Sequence, residues 1–256
     1  MAELLVVPAI LAYGEAAFAY IGELRGPGVA GRLATWGVRI GWLAQTGLLV
    51  GQALSAEGFA WRTWAGALNF FVWLVVGAYL IWGCTPRYRL LGLTVMPVAA
   101  SLLVLAWAGG GTGLDEADHS NAVLAVHVGL MLASFAGLTL AAGMAALYLW
   151  QERRLKRHER GVLRVRVPPL DALDRLAARA VLASLALLTL GIAVGAARVQ
   201  RGDLDAAMVV TIGIWATYAS LLVLRHEGWR GGRAARLNLA GFALVAIVLP
   251  LTHFAS

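Results

Sequence analysis

Of five histidines, His127 and His253 are placed where two imidazoles could share one ligand. Each lies within a long apolar stretch, where an ionisable side chain costs about 3 kcal/mol or more at the bilayer centre and therefore demands a partner or a purpose. His119 falls in an acidic loop, His158 in a basic one and His226 at a span end, which makes those three poor candidates for a buried ligand. A single histidine inside a membrane usually serves as an interhelical hydrogen-bonding group. Two at one depth change the argument. Zinc takes three or four protein ligands, and no Cys, Asp or Glu stands at ligand spacing from either histidine. The single cysteine, Cys84, excludes CxxC chemistry and an internal disulfide. Haem iron needs only two axial imidazoles, its porphyrin face suits apolar surroundings, and its propionates reach toward water and cations. Haem b with bis-histidine ligation is therefore the cofactor this pair fits. Arg198 and Arg201 at the outer end of the sixth apolar segment, and Arg62 at that of the third, are the candidates to meet the propionates.

Positioning these residues falls to a chain of 256 residues that is 60% hydrophobic and 14% charged, with a mean hydropathy of +0.75. Soluble globules carry about 25% charged residues, so a water-soluble enzyme is excluded as the ordinary case. A membrane span needs about 20 largely apolar residues. Segments near 3–22, 33–54, 62–83, 89–109, 121–150, 176–198, 205–225 and 236–255 meet that test. The expectation is an all-α integral membrane protein, a bundle of about eight transmembrane helices forming one domain over 1–256. The formal charge of +7 is read as cytoplasmic retention and not as a nucleic-acid site. The 151–175 loop is densely basic, whereas the 110–120 loop carries Asp115, Glu116 and Asp118. Positive charge stays inside, which makes the first loop cytoplasmic, the second external, and both termini external. His127 and His253 then both belong to the outer leaflet.

Other features have plainer readings. The opening MAELLVVPAILAYG has Glu3 where a signal peptide would carry Lys or Arg, and reads as a retained first span. Trp61, Trp64, Trp82, Trp107, Trp150 and Trp229 sit near span ends, where indoles favour the headgroup region. Pro168-Pro169 followed by Asp171 predicts a break and then an amphipathic start that leads into the sixth span. Glu15 and Arg39 fall about 10 and 9 Å from the inner boundary at 1.5 Å per residue. Their matching depth predicts an ion pair.

Several stretches together carry a resemblance: WLAQTG at 42–47, TWAGALNFFVWL at 63–74, LAVHVGLMLASF at 124–135, LDALDRLAARA and LLTLGIAVGAA up to 197, WATYASLLVLR at 215–225 and the final LPLTHFAS. In order and spacing the chain resembles the cytochrome c assembly (CcsA-like) family of haem-handling membrane proteins, and most closely its HemX-like branch, over about 33–255. The resemblance implies that His127 and His253 are axial haem ligands. The family's Trp-rich motif falls where this chain reads ARVQRGDLDAA, with Asp205 as its matching residue; Val223 occupies the position of a further family histidine, and Gln45 stands in the second span as in the HemX-like branch.

Three classes of function follow. The first is a haem-binding assembly or trafficking protein of the bacterial cytoplasmic membrane, holding haem b near the external face for cytochrome c biogenesis. The second, implied by the HemX-like resemblance, is a regulator of haem synthesis acting on the level of glutamyl-tRNA reductase. The third is a small-solute transporter without cofactor, for which paired helix interruptions are expected; Pro8 and Pro97 are available, yet no paired interruption is evident. The partners are haem, membrane lipid and, by resemblance, another assembly subunit or a haem-synthesis enzyme. An assembly, trafficking or regulatory role is favoured over an enzymatic one.

Overall fold

The computed structural model describes residues 2–25, 28–55, 63–83, 88–113, 122–158, 168–196 and 206–254. Among them are eight α-helices: α1 Val6–Arg25, α2 Val29–Ser55, α3 Trp64–Gly83, α4 Gly92–Ala108, α5 Ala122–Lys156, α6 Leu170–Ala196, α7 Ala206–His226 and α8 Gly232–Phe254. The described residues are all-helical apart from turns and short 3-10 segments, and contain no strand. Among the described residues five stretches are long and apolar enough by themselves to cross a membrane: Trp64–Ile81, Arg89–Ala108, Val123–Lys156, Leu170–Ala196 and Met208–His226. Trp64 and Trp107 lie at helix ends, Trp229 in the turn between α7 and α8, and Trp150 six residues before the end of α5; all are 37–51% exposed, as an interfacial indole requires. Trp61 and the Trp82 side chain lie outside the described residues.

The chain divides into two compact units, one of residues 1–125 with 160–168, the other of 126–159 with 169–256. In the first, α1 packs on α2 and α4, and α3 packs on α2 and α4. The α1–α2 contact is close because Gly37 and Gly41 leave room for Ala12, Tyr13 and Ala16, the small-residue packing that holds helices together where no hydrophobic drive separates them from lipid. A polar chain runs through this unit. Tyr13 Oη donates to Gln45 Oε1 at 2.8 Å, and Gln45 Nε2 donates to Asn69 Oδ1 at 2.9 Å and to the Asn69 carbonyl at 3.0 Å. Gln52 Nε2 continues it to the Gly113 carbonyl at 2.8 Å. That carbonyl is presented by the turn that ends α4, where Gly110 takes φ +80 and Gly111 N–H donates to the Ala106 carbonyl at 2.8 Å. Such a left-handed cap suits glycine because any side chain there is strained. Trp42 stacks on Trp73 with ring centroids 5.2 Å apart, and Trp73 Nε1 donates to Thr46 Oγ1 at 2.8 Å.

The expected Glu15–Arg39 pair is not formed. Gly37 faces α1, with Glu15 Oε2 3.4 Å from where its Cβ would stand. Arg39, two residues on, is turned about 200° to the opposite side of α2. Its guanidinium lies 5.3 Å from the Trp36 ring. Glu15 lines an open groove between α1 and α4 with Leu11, Phe18 and Ser101. The ion pair this unit does make is Glu23 with Arg89, at 3.1 Å.

In the second unit α6 starts at Leu170, directly after Pro168-Pro169, and runs without interruption into the sixth span. At its start Asp174 accepts from Arg225 at 2.7 and 2.9 Å and from Gly231 N–H at 3.2 Å, tying α6 to α7 and to the turn before α8. Ser134 Oγ donates to the Ser184 carbonyl at 2.9 Å, which fixes α5 against α6.

Candidate functional site

His127 stands one turn and a half into α5, whose apolar side packs along α6. The α6 residues beneath it are Gly191 and Gly195, four apart and hence on one face of the helix. A Cβ on Gly195 would stand 2.7 Å from His127 Cε1 and 3.0 Å from Nδ1, and one on Gly191 would meet Met131 Sδ at 2.9 Å. Only bare backbone lets the imidazole lie this close to α6. His127 Nδ1 is 2.8 Å from the Gly191 carbonyl oxygen. A carbonyl can only accept, so Nδ1 carries a proton, and in the neutral imidazole Nε2 then holds the lone pair. Among the described residues nothing hydrogen-bonds Nε2, and the ring is half-buried. This is how metal-ligating histidines are commonly oriented: the distal N–H is held by a backbone carbonyl, which fixes the tautomer and raises the basicity of the free nitrogen.

The backbone of residue 253 belongs to α8, and its side chain lies outside the described residues. Contacts fix the direction of that helix. Gly232 lies against Glu152, while Leu239 shares a cavity wall with Ala146 and Leu149, so α8 runs antiparallel to α5. At 1.5 Å per residue, residue 253 lies about 21 Å beyond Leu239, and His127 about 28 Å from Ala146 in the same direction. Both are therefore at the end of the unit remote from Arg153–Arg157. Arg62, Arg198, Arg201 and Asp205 lie outside the described residues, as do His119 and Asp115, Glu116 and Asp118. His158 and His226 are exposed at the opposite end, at the termini of α5 and α7. Among the described residues no three His, Cys, Asp or Glu side chains gather into a metal-holding cluster.

The chain belongs to the cytochrome c assembly protein family. Residues 61–254 match that family, three-quarters of the sequence. Protein HemX of Brevibacillus brevis is 26% identical over 224 residues, covering 84% of this chain and 82% of HemX. Inner membrane protein YpjD of Escherichia coli K12 is 34% identical over 136 residues, 51% of this chain and 49% of YpjD. The chain thus spans about half the length of YpjD in that match. No solved structure matches. With its apolar helices, the chain is a multi-pass protein of the bacterial inner membrane, of the HemX-like kind.

The polar chain of the first unit escaped sequence reasoning. Its members Gln45 and Asn69, and the neighbouring Trp42, Thr46 and Trp73, all come from WLAQTG and NFFVW, two of the stretches that carry the family resemblance. Polar residues recurring within apolar segments were the available signal.

Proposed function

We propose that this protein binds one haem b near the external face of the membrane, with His127 and His253 as axial ligands, and serves cytochrome c biogenesis or haem trafficking. The observation that carries the reading is the 2.8 Å contact of His127 Nδ1 with the Gly191 carbonyl over a bare Gly195. It supports an imidazole whose Nε2 lone pair is available and whose ring plane is held. A histidine used only to join helices would gain from engaging both nitrogens. Bound haem supplies an iron with two axial positions and a low-polarity ring face.

The chain's part is to present the ligands and keep them in place. The Gly191 carbonyl holds the His127 proton on Nδ1, and the α5–α6 contact keeps the ring from rotating. His253 is the second ligand in this reading, supported by its position on α8 at the same end of the unit. Arg198 and Arg201, which follow α6 in sequence, would neutralise the propionates, and the resemblance gives Asp205 as the matching residue of the family's external motif. Family membership supports haem handling in general.

Absorption spectra of the purified protein, oxidised and reduced, test this. Sharp reduced bands of six-coordinate haem are expected, and His127→Ala or His253→Ala should give five-coordinate haem or none. His158→Ala and His226→Ala should leave the spectrum unchanged. A full complement of low-spin haem in the His127→Ala/His253→Ala double variant would overturn the proposal.

A further inference from the structure

At the opposite end of the second unit, α5 continues for nearly two turns past Trp150, to Lys156. A cavity of about 450 Å³ opens there between α5 and α8, lined by Ala146, Leu149, Trp150, Arg153, Arg154, Arg157 and Leu239. From this cavity we infer a binding site for one anionic phospholipid, with Arg153 and Arg157 on its phosphate and Ala146, Leu149 and Leu239 along its acyl chain.

The argument rests on order along the helix. Residues 146, 149, 150, 153, 154 and 157 follow the spacing of a single helical face, so one stripe passes from apolar, through an interfacial indole, to three guanidinium groups. Its length is about 16 Å from Ala146 to Arg157. A phospholipid has the same polarity in the same direction, tail first and phosphate last. Retention of positive charge on the cytoplasmic side, and the negative end of the helix dipole, account for basic residues near the end of α5. Neither accounts for their convergence on one wall of a cavity whose deeper wall is apolar and partly supplied by another helix.

The charge here is directed. Lys156, on another face, is paired with Glu152 at 3.0 Å, whereas no described carboxylate pairs with Arg153 or Arg157. Arg154 is steadied by Trp150, with its guanidinium carbon 4.6 Å from the indole ring. The guanidinium forks of Arg153 and Arg157 suit bidentate contact with phosphate oxygens. Basic pockets between helices on the cytoplasmic side are suited to anionic headgroups. Free phosphate would use the arginines alike, but it would gain nothing from Leu149 and Leu239.

Native mass spectrometry of the full-length protein in detergent, titrated with phosphatidylglycerol or phosphatidylcholine, tests the assignment. The first lipid bound should be phosphatidylglycerol by at least tenfold, and Arg153→Gln/Arg154→Gln/Arg157→Gln should bring that preference to within twofold. Removing the same charge elsewhere, by Arg32→Gln/Arg175→Gln/Arg179→Gln, should preserve it. Leu239→Trp, which narrows the apolar wall and spares every arginine, should weaken lipid binding several-fold and keeps the test open if the triple variant fails to fold. Equal affinity for the two lipids, an equal loss in the control triple variant, or displacement of the lipid by millimolar inorganic phosphate would each overturn the assignment. Haem spectra play no part in this readout, so it stands or falls apart from the haem site.

Discussion

Replacing Gly195 by alanine isolates the feature on which the haem reading depends. The added Cβ would stand 2.7 Å from His127 Cε1 and 3.6 Å from Nε2, whereas carbon atoms in contact prefer about 3.5–4.0 Å. The ring must retreat by about 0.8 Å. The Gly191 carbonyl lies on the same helix as Gly195, so retreat lengthens the present 2.8 Å contact to about 3.6 Å, beyond hydrogen-bonding range. Overpacking costs about 1–3 kcal/mol when nothing yields, and losing the hydrogen bond costs about 0.5–1.5 kcal/mol. The cheaper route wins, and a stability loss of about 1 kcal/mol is expected. The larger effect falls on haem, because loss of a metal ligand's orienting partner lowers affinity about 10- to 100-fold. Haem affinity and dissociation rate, followed by absorption during transfer to an excess of a haem-free acceptor protein, give the readout. Gly137→Ala is the control: its Cβ would meet Ser184 Oγ on the same helix pair, well away from His127. It should cost stability and leave haem affinity within twofold. The reasoning is refuted if Gly195→Ala binds haem as tightly as the parent, or if Gly137→Ala loses haem to the same extent.

Three further outcomes follow from contacts in the structure, each read as thermal unfolding of the purified protein. Asp174→Asn removes the charge that meets Arg225 at 2.7 and 2.9 Å with both side chains about 13–15% exposed, and should cost about 2–3 kcal/mol, less than a fully buried pair because water reaches it. No change in melting temperature would count against the pair. Gln45→Leu strips three hydrogen bonds of 2.8–3.0 Å and leaves the buried Tyr13 hydroxyl unsatisfied; at about 0.6 kcal/mol per interhelical bond a loss near 2 kcal/mol is expected, and one below about 0.5 kcal/mol would contradict a closed network. Glu15→Gln should shift stability by less than about 0.5 kcal/mol, the range for a surface change that removes no partner, and a marked loss would reinstate an ion partner for Glu15.

The apolar segments fall close to the eight described helices, five of which contain stretches long and apolar enough by themselves to cross a bilayer, where the backbone must satisfy its own hydrogen bonds. Hydropathy errs where helix and apolar segment part company. The fifth segment reads as ending at Trp150, but Gln151, Glu152, Arg153, Arg154, Leu155 and Lys156 are good helix formers and carry α5 to Lys156. The sixth apolar segment begins at 176, but Pro168-Pro169 and Asp171 predict a helix start ahead of it, and α6 does start at Leu170. Glu15 and Arg39 show a second kind of limit. Rise per residue fixes depth from sequence alone, but pairing also requires the correct angle about each helix axis. Helix packing sets that angle: Gly37 faces α1, which turns Arg39 to the other side of α2.

The site divides in the same way. Depth singled out His127 and His253 from the five histidines, yet the significance of Gly191 and Gly195 was hidden, since a glycine's worth depends on what faces it from another helix. The two units then show why a polar group inside a membrane is not by itself a ligand site. Tyr13, Gln45, Gln52 and Asn69 are buried, neutral and hydrogen-bonded to one another and to the turn after α4, and none of their atoms is among the buried polar atoms left without a partner in the described residues. Such a closed network holds helices in register and has nothing to offer a ligand. His127 is the contrary case: half-buried, one nitrogen committed to a carbonyl, the other an acceptor with no described partner. An acceptor lone pair on a fixed ring, facing a low-polarity environment, gains most from a cation or metal centre. That difference in hydrogen-bond completeness separates the first unit's polar residues, which hold helices together, from His127, and supports the ligand role proposed for it.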